Sequence, residues 1–412
     1  MKNNKNVPAP SKLNLLRQIC NFIPEFLVAK IARATGAEEK ARTFSPWSHV
    51  VALLYAQLTH SIGLNDVCDA LQLQSGPLSS LRGATPPSRN NLSHADKIRP
   101  AEMAEKLFWS VFEHLGSLSP GFVSGQGGQR FARRFKRTIH LVDSTTIPLI
   151  AACLDWAKHR RRKAAAKCHL RLDLQSFLPR FAIVDTAKHA DARRAREVCA
   201  GIKAGEIVIF DKAYVDFEHL ADLALREIFW VTRTKNNHQF TVVKEYQNGP
   251  VGKILADELV EPTNASSQAA YPGLMRRVRA WVEVDGQEIE MEFLTNNLEW
   301  SAPSIADLYR CRWQIEVFFK PIKQTLQLAD FLGISANAVR WQVGTARLTY
   351  LLLRYVAFLS QWGHSFSRLF TVLRTSLWKK WNLLGLLRRY GTAEGHFRYL
   401  ARPEQAFLPG MS

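Results

Sequence analysis

Three acidic residues stand where a carboxylate could do chemistry. Asp143 ends the apolar run IHLV, Asp211 ends the apolar run IVIF, and Glu316 lies in the segment YRCRWQIEVFFKPIK. Strand ends are where ligands collect in α/β sheets, so carboxylates there can reach a ligand. Three carboxylates supply the oxygen ligands that suit Mg²⁺ or Mn²⁺. Taken singly, an Asp at a strand end also fits a turn or capping role.

The segment around Glu316 contains further polar residues at helical spacing. The set is Tyr309, Arg312, Glu316 and Lys323. At about 100° per residue, all four fall within about 60° of one another, which predicts one helix that carries them on one face. Arg312 and Lys323 could then neutralise phosphate oxygens beside a cation held by Glu316. An exposed face of i,i+4 ion pairs is the alternative interpretation. Pro321 should bend the turn that carries Lys323.

The elements that position these residues change in kind along the chain. Apolar residues recur at helical spacing from Ser11 to about Leu115, and short β-branched runs alternating with two amphipathic patterns follow. This order predicts an α/β fold. We predict a helical N-terminal domain over 1–116, a linker over 117–130, an α/β domain over 131–335 with a β-rich insertion at about 236–297, and a basic helical C-terminal region over 336–412.

Composition limits the class of protein. The chain has 412 residues, 47% of them hydrophobic, and 55 basic against 36 acidic residues give a net charge of +19. Such a chain can bury a core and attracts polyanions, with nucleic acid the first candidate. Six cysteines without a CxxC pair indicate a reducing compartment, and no apolar run is long enough to span a membrane. The composition therefore excludes disulfide miniproteins and disordered chains and predicts a cytoplasmic protein.

The acidic residues and their neighbours carry a resemblance to a known family. The order of Asp143, Asp211 and the pattern Tyr309-x2-Arg312-x3-Glu316-x6-Lys323 resembles the DDE transposases of the insertion sequence 4 family, whose YREK signature has this spacing. The segments DKAYVDF and KCHLRLDLQSFLP are similar to further blocks of that family. The resemblance implies a ribonuclease-H-like core with a β-insertion between the second Asp and the Glu, preceded by DNA-binding helices. Pro321 departs from the motif.

The resemblance also implies roles for the six site residues. Asp143, Asp211 and Glu316 would bind two divalent metal ions, Mg²⁺ or Mn²⁺, and catalyse phosphoryl transfer on DNA. The DNA backbone at the transposon end would be bound by Tyr309, Arg312 and Lys323.

The implied partners are double-stranded DNA, as terminal inverted repeats and target, and a second copy of the chain in a homodimer. The implied location is the nucleoid of a bacterial cytoplasm, without a membrane. Two alternatives stay open: a metal-dependent nuclease on the same core, and a catalytically inactive DNA-binding protein derived from a transposase.

Other candidate DNA contacts admit two interpretations each. LNDVCDALQL and SRNNLSHADKIR could form a helix-turn-helix that offers Arg89 and the two asparagines after it to DNA, although we favour ordinary capped helices. The basic run over 158–167 is either a loop along the DNA backbone or a solvated turn. Trp281 and Trp300 are either stacking platforms for an extruded base or core residues.

Overall fold

The fold is that of a computed structural model, which describes residues 8–38, 43–125, 135–149, 153, 157–160, 163–186, 191–235, 237–246, 249–284, 286–320 and 332–391. These residues divide into two compact units. A helical unit comprises the described residues within 1–127, 147–165 and 319–404, and a sheet unit comprises those within 128–146 and 166–318.

The N-terminal part of the helical unit follows local capping rules. Ser45 and Ser88 each accept a hydrogen bond from a backbone N–H of the helix that they precede, and Pro46 occupies a first turn, where its missing donor is not needed. The helices are α1 (Leu15–Cys20), α2 (Glu25–Ala34), α3 (Pro46–Thr59), α4 (Leu64–Leu73), α5 (Ser75–Ser79), α6 (Arg89–Ile98), α7 (Glu102–Leu118) and α8 (Pro120–Ser124).

A mixed sheet with helices around it forms the other unit. The strands of the sheet are β1 (Ile139–Leu149), β2 (Lys158–Arg160), β3 (Lys163–Asp173), β4 (Leu178–Thr186), β5 (Ile207–Phe210), β6 (Phe229–Arg233), β7 (Phe240–Glu245), β8 (Ile254–Pro262), β9 (Met275–Val284) and β10 (Gln287–Thr295). β2, the end of β1 and the first residues of β3 fall within 147–165 and are grouped with the helical unit. The helices around the sheet are α9 (Ala192–Val198), α10 (Phe217–Leu225), α11 (Ala265–Ala270), α12 (Ala302–Arg310) and α13 (Trp313–Lys320).

The sheet contains both parallel and antiparallel pairs of strands. The strand order is β2-β3-β1-β5-β6-β10-β9-β8-β7, with β4 paired to β3. β1, β5 and β6 are parallel neighbours, whereas β10, β9, β8 and β7 run as antiparallel pairs. β5 is buried along its whole length, as expected of a parallel strand covered on both faces. The predicted α/β class is confirmed, and the strands over 240–295 continue the same sheet because β10 pairs with β6.

The C-terminal helices α14 (Ala336–Ser360), α15 (Phe366–Arg374) and α16 (Leu383–Gly391) pack within the helical unit. α14 approaches α7 closely, since a Cβ at Gly344 would lie 2.8 Å from the Ala104 Cβ. The Asn337 side chain accepts from the Ala101 N–H at 3.0 Å and donates to the Arg99 carbonyl at 2.6 Å. The helices at both ends of the chain therefore share one core, although the sequence analysis treats them as separate regions.

Two local predictions, and one alternative that we did not favour, differ from the structure. Much of the segment expected to be a linker is helical, because Phe122 of α8 is buried against the Tyr355 ring. The loop or turn expected over 158–167 is wrong, since β2 and β3 pair as antiparallel strands there. α4 and α6 are separated by α5 and a further connection rather than by the short turn of a helix-turn-helix.

Candidate active site

The parallel register of β1 and β5 sets Asp143 beside Asp211. Val142 is opposite Phe210 in the register, and the residue that follows each of them along the chain is an aspartate. Residues in register on parallel strands have side chains on the same face, which directs both carboxylates to one side of the sheet. β1 continues beyond Asp143 to Leu149, so Asp143 marks the end of the pairing with β5 rather than the end of the strand. Asp211 precedes a short 3₁₀ helix, Lys212–Tyr214.

The predicted continuous helix over Tyr309–Glu316 is interrupted. α12 ends at Arg310 and α13 begins at Trp313. The backbone between them bonds at i→i−3 spacing, with Arg312 N–H to the Tyr309 carbonyl at 2.9 Å and Ile315 N–H to the Arg312 carbonyl at 3.0 Å. Side chains three residues apart eclipse in a 3₁₀ turn, so Tyr309 and Arg312 still project on the same side.

Arg312 links the helical segment to the strands. Its Nη1 donates to Asp143 Oδ2 at 2.9 Å, and its Nη2 donates to Glu316 Oε1 at 3.1 Å. The Tyr309 hydroxyl donates to Asp211 Oδ1 at 3.3 Å. Residues that the sequence places far apart thus form one connected cluster of three carboxylates, a guanidinium and a phenol.

The cluster has three carboxylates but one guanidinium, and the pKa values of several of its members are shifted. Burial raises the pKa of Asp143 to about 6; Arg312 opposes that rise, and the nearby carboxylates Asp211 and Glu316 add to it. Burial by itself would lower the pKa of Arg312, but Tyr309 and the three carboxylates outweigh burial and raise it. Burial also raises the pKa of the Tyr309 hydroxyl, which stays protonated and able to donate.

The residues present fit a hard divalent cation in type. All three acidic side chains offer oxygen only, and their mutual repulsion favours a cation among them. Within the described ranges, no three His, Cys, Asp or Glu side chains are already arranged as a ligand set. The positive charge that bridges Asp143 and Glu316 is instead the guanidinium of Arg312. A metal ion and this guanidinium would compete for the same two carboxylates.

The other predicted contacts have different outcomes. Lys323 and Pro321 lie outside the described residues. Trp300 packs against the Phe229 ring at 5.3 Å, which agrees with the core interpretation, whereas Trp281 is 39% exposed on β9. Arg89 and the two asparagines after it are exposed at the start of α6.

A polar group beside the aspartates was not predicted from the sequence. It comprises Ser144, Lys167, His169, Asp191 and Tyr214, which contact one another. A signal was present, because Lys167 and His169 lie in KCHLRLDLQSFLP and Tyr214 lies in DKAYVDF, two of the segments quoted for the family resemblance. Their roles stayed unassigned since no local spacing relates residues on separate strands.

Comparison with protein families gives two matches. The profile described as "Transposase DDE domain" matches residues 134–352, more than half of the chain, and includes all six predicted site residues. A second profile, described as a domain of unknown function (DUF4372), matches residues 11–81.

Similar proteins carry transposase names. The chain is 30% identical over 335 residues to y4zB, a candidate transposase of Sinorhizobium fredii, covering 81% of this chain and 87% of that protein. It is 24% identical over 355 residues to a transposase assigned to insertion sequence element IS5377 of Geobacillus stearothermophilus, covering 86% of each. It is 24% identical over 194 residues to the transposase InsG for insertion sequence element IS4 of Escherichia coli K12, covering 45% of this chain and 42% of that protein.

Among solved structures, the piggyBac transposase synaptic complex with hairpin DNA aligns with 100% of this chain and 88% of that chain, at 10% identity. Its TM-score of 0.40 is too low to establish a common fold.

Proposed function

Because this chain belongs to the DDE transposase family, we propose that it moves a DNA element by cut-and-paste transposition. Membership makes the chain a DNA transposase, an enzyme that acts on DNA. Recognition of terminal inverted repeats, excision of the element and strand transfer into a target are the parts that we propose.

One observation carries the proposal. The parallel register of β1 and β5 puts Asp143 beside Asp211, and Arg312 connects Asp143 to Glu316. A structural protein gains little from three carboxylates gathered on one side of a sheet, whereas phosphoryl transfer on DNA needs such a set. The strand order β4-β3-β1-β5-β6, with β1, β5 and β6 parallel, supports a ribonuclease-H-like core beneath it.

Divalent-metal dependence is general for the DDE domain. We assign Asp143, Asp211 and Glu316 as the residues that would hold two Mg²⁺ or Mn²⁺ ions. When bound, such ions activate the attacking oxygen and stabilise the leaving oxygen of an in-line displacement at phosphorus. No protein nucleophile is needed in that chemistry.

The chain's own cations and hydroxyls would orient the DNA. The Arg312 guanidinium can form paired hydrogen bonds to a phosphate once it is released from the carboxylates. The Tyr309 hydroxyl, kept protonated by burial, can donate to a second backbone oxygen. Lys323 would add a third contact. The net charge of +19 supports salt-sensitive binding of the duplex as a whole.

The assembly and location follow from this function. Two element ends must be held together before strand transfer, so we propose a homodimer bound to paired ends. Within the described ranges, no helix is long and apolar enough to cross a membrane. A bacterial cytoplasm, in association with the nucleoid, is the location that gives the enzyme its DNA.

The test is incubation of the full chain with a labelled duplex and Mg²⁺. The duplex carries the inverted repeats found in the DNA that flanks the gene, and a supercoiled plasmid serves as target. We expect cleavage at the element ends and joining to the plasmid, both lost in Asp143→Asn. Cleavage without joining would instead identify a nuclease, and a shifted band without cleavage would identify an inactive DNA-binding protein.

A further inference from the structure

A polar network with two buried and three partly buried members lies next to Asp143 and Asp211. We use the name "support network" for Ser144, Lys167, His169, Asp191 and Tyr214. Ser144 directly follows Asp143, and Tyr214 closes the 3₁₀ turn that Asp211 begins, with the Tyr214 N–H bonded to the Asp211 carbonyl at 2.9 Å. Each of the two aspartates therefore has one member of the network within three residues of it along the chain.

The contacts of the support network centre on one carboxylate oxygen. Asp191 Oδ1 accepts from Lys167 Nζ at 2.6 Å and from the Ser144 hydroxyl at 3.2 Å, and His169 Nδ1 lies 3.6 Å away. The Tyr214 hydroxyl is 2.7 Å from His169 Nδ1. Lys167 and His169 both belong to β3, so this strand is linked to residues beside both aspartates.

Burial favours the neutral forms of two members of the support network, His169 and Tyr214. His169 and Tyr214 are each only 1% exposed. Burial lowers the pKa of His169, so the ring is neutral near pH 7 and Nδ1 can accept the Tyr214 proton. Burial also raises the pKa of the Tyr214 hydroxyl, which keeps that proton in place. Hydrogen bonds among groups with little access to solvent restrict those groups to few arrangements.

We propose that the support network is a set of positioning residues that holds Asp143 and Asp211 at the separation that catalysis requires. This inference rests on the proposed function of the two aspartates. None of the five residues needs to touch the DNA. They act through the backbone of residues 143–144 and 211–214, because a ligand whose neighbours are fixed loses less entropy on binding an ion.

The experiment compares full-length variants that each remove one hydrogen bond. In Tyr214→Phe and His169→Ala, the kcat of end cleavage should fall about 10-fold or more, with the KM for the DNA ends unchanged. The Mn²⁺ concentration for half-maximal binding, followed by the paramagnetic resonance of free Mn²⁺, should rise in parallel. His169→Asn should recover part of the loss, because its side-chain oxygen can accept in place of Nδ1.

Tyr271→Phe is the matched control. Tyr271 is 4% exposed in the same unit and packs against the Trp230 ring, outside the support network. It also loses a buried hydroxyl, so any general effect of that loss on stability appears in its thermal unfolding. Its kcat and Mn²⁺ binding should match those of the unchanged protein. Should Tyr214→Phe fail to fold, Ser144→Ala removes the neighbouring bond with a smaller change.

The outcomes separate this inference from the proposed function. If Asp143→Asn loses Mn²⁺ binding while Tyr214→Phe and His169→Ala keep normal kcat and Mn²⁺ binding, the network is only structural and the inference fails alone. If Asp143→Asn keeps full Mn²⁺ binding, the assigned metal site is wrong and the inference falls with it.

Discussion

Two buried arginines of the sheet unit are paired in contrasting ways. Arg276, on β9, donates to both oxygens of Asp257 at 2.7 and 2.6 Å, and its remaining nitrogen donates to the carbonyls of Leu298 and Trp300. Arg312 makes one bond to each of two carboxylates, and its Nε has no hydrogen-bond partner among the described residues.

We propose that this difference separates a structural ion pair from one that serves catalysis. In the Arg276–Asp257 pair every side-chain nitrogen of the arginine donates a hydrogen bond, and the side chains are only 7% and 8% exposed. The Arg312 bridge leaves a donor unused, reaches a Glu316 side chain that is 43% exposed, and leaves the pKa of Asp143 raised. An arginine that is incompletely paired can exchange its partners at low cost, which fits the proposed transfer of Arg312 from the carboxylates to a phosphate.

The largest expected effect is a loss of catalysis when the Arg312–Glu316 pair is changed. Glu316→Gln removes one charge while keeping an oxygen that can accept from Arg312. We expect end cleavage to fall about 1,000-fold or more, equivalent to about 4 kcal/mol of transition-state stabilisation, with thermal unfolding little changed. The fall in the cleavage rate is measured under single-turnover conditions. Near-normal cleavage by this variant would remove Glu316 from the site.

A change in the Arg276–Asp257 pair should instead lower stability and leave catalysis intact. Asp257→Asn leaves the Arg276 charge buried and unbalanced, so we expect the free energy of unfolding to fall by about 3–5 kcal/mol, measured by urea denaturation. Cleavage at a temperature where the variant stays folded should persist. Glu290→Gln is the control, because the Arg279–Glu290 pair on β9 and β10 is largely exposed and should contribute at most about 1 kcal/mol. Equal losses from both variants would contradict the comparison.

A third prediction concerns the competition between Arg312 and the metal ion. Arg312→Gln removes the guanidinium from Asp143 and Glu316, so Mn²⁺ affinity without DNA should rise about 10-fold, or about 1.4 kcal/mol. Screening at the exposed Glu316 keeps the effect this small. The same variant should bind the DNA ends more weakly. Titration of free Mn²⁺ and a gel-shift assay measure the two effects, and a loss of Mn²⁺ affinity would show that Arg312 assists the ion.

The smallest effect is the pH dependence of stability. The folded-state pKa of Asp143 is raised to about 6, so the folded, ion-free protein holds this proton more tightly than the unfolded chain does. The contribution to stability is therefore present at low pH and is lost as pH rises through about 6. Between pH 5 and 7.5, the protein should lose about 1 kcal/mol relative to Asp143→Asn, as measured by urea denaturation. Parallel pH profiles for the two proteins would argue against a raised pKa.

Local pattern predicted much of this fold. The apolar runs IHLV and IVIF became β1 and β5, and the helical spacing before about residue 115 became α1 to α7. Where prediction failed, a long-range contact decided the outcome. Part of the Gly- and Ser-rich segment forms α8, because Phe122 packs against Tyr355. The described residues of the basic run are extended, because β2 pairs with β3.

What the sequence determined by itself is the chemistry available: three carboxylates, a guanidinium and a phenol at spacings typical of one family. What the tertiary structure decided is how they meet. The register of β1 against β5, the bond from Arg312 to Asp143 and the link from β3 through Asp191 to Ser144 all join residues far apart along the chain. Local periodicity reports only which face a side chain occupies within its own element, so it carries no information on which elements become neighbours.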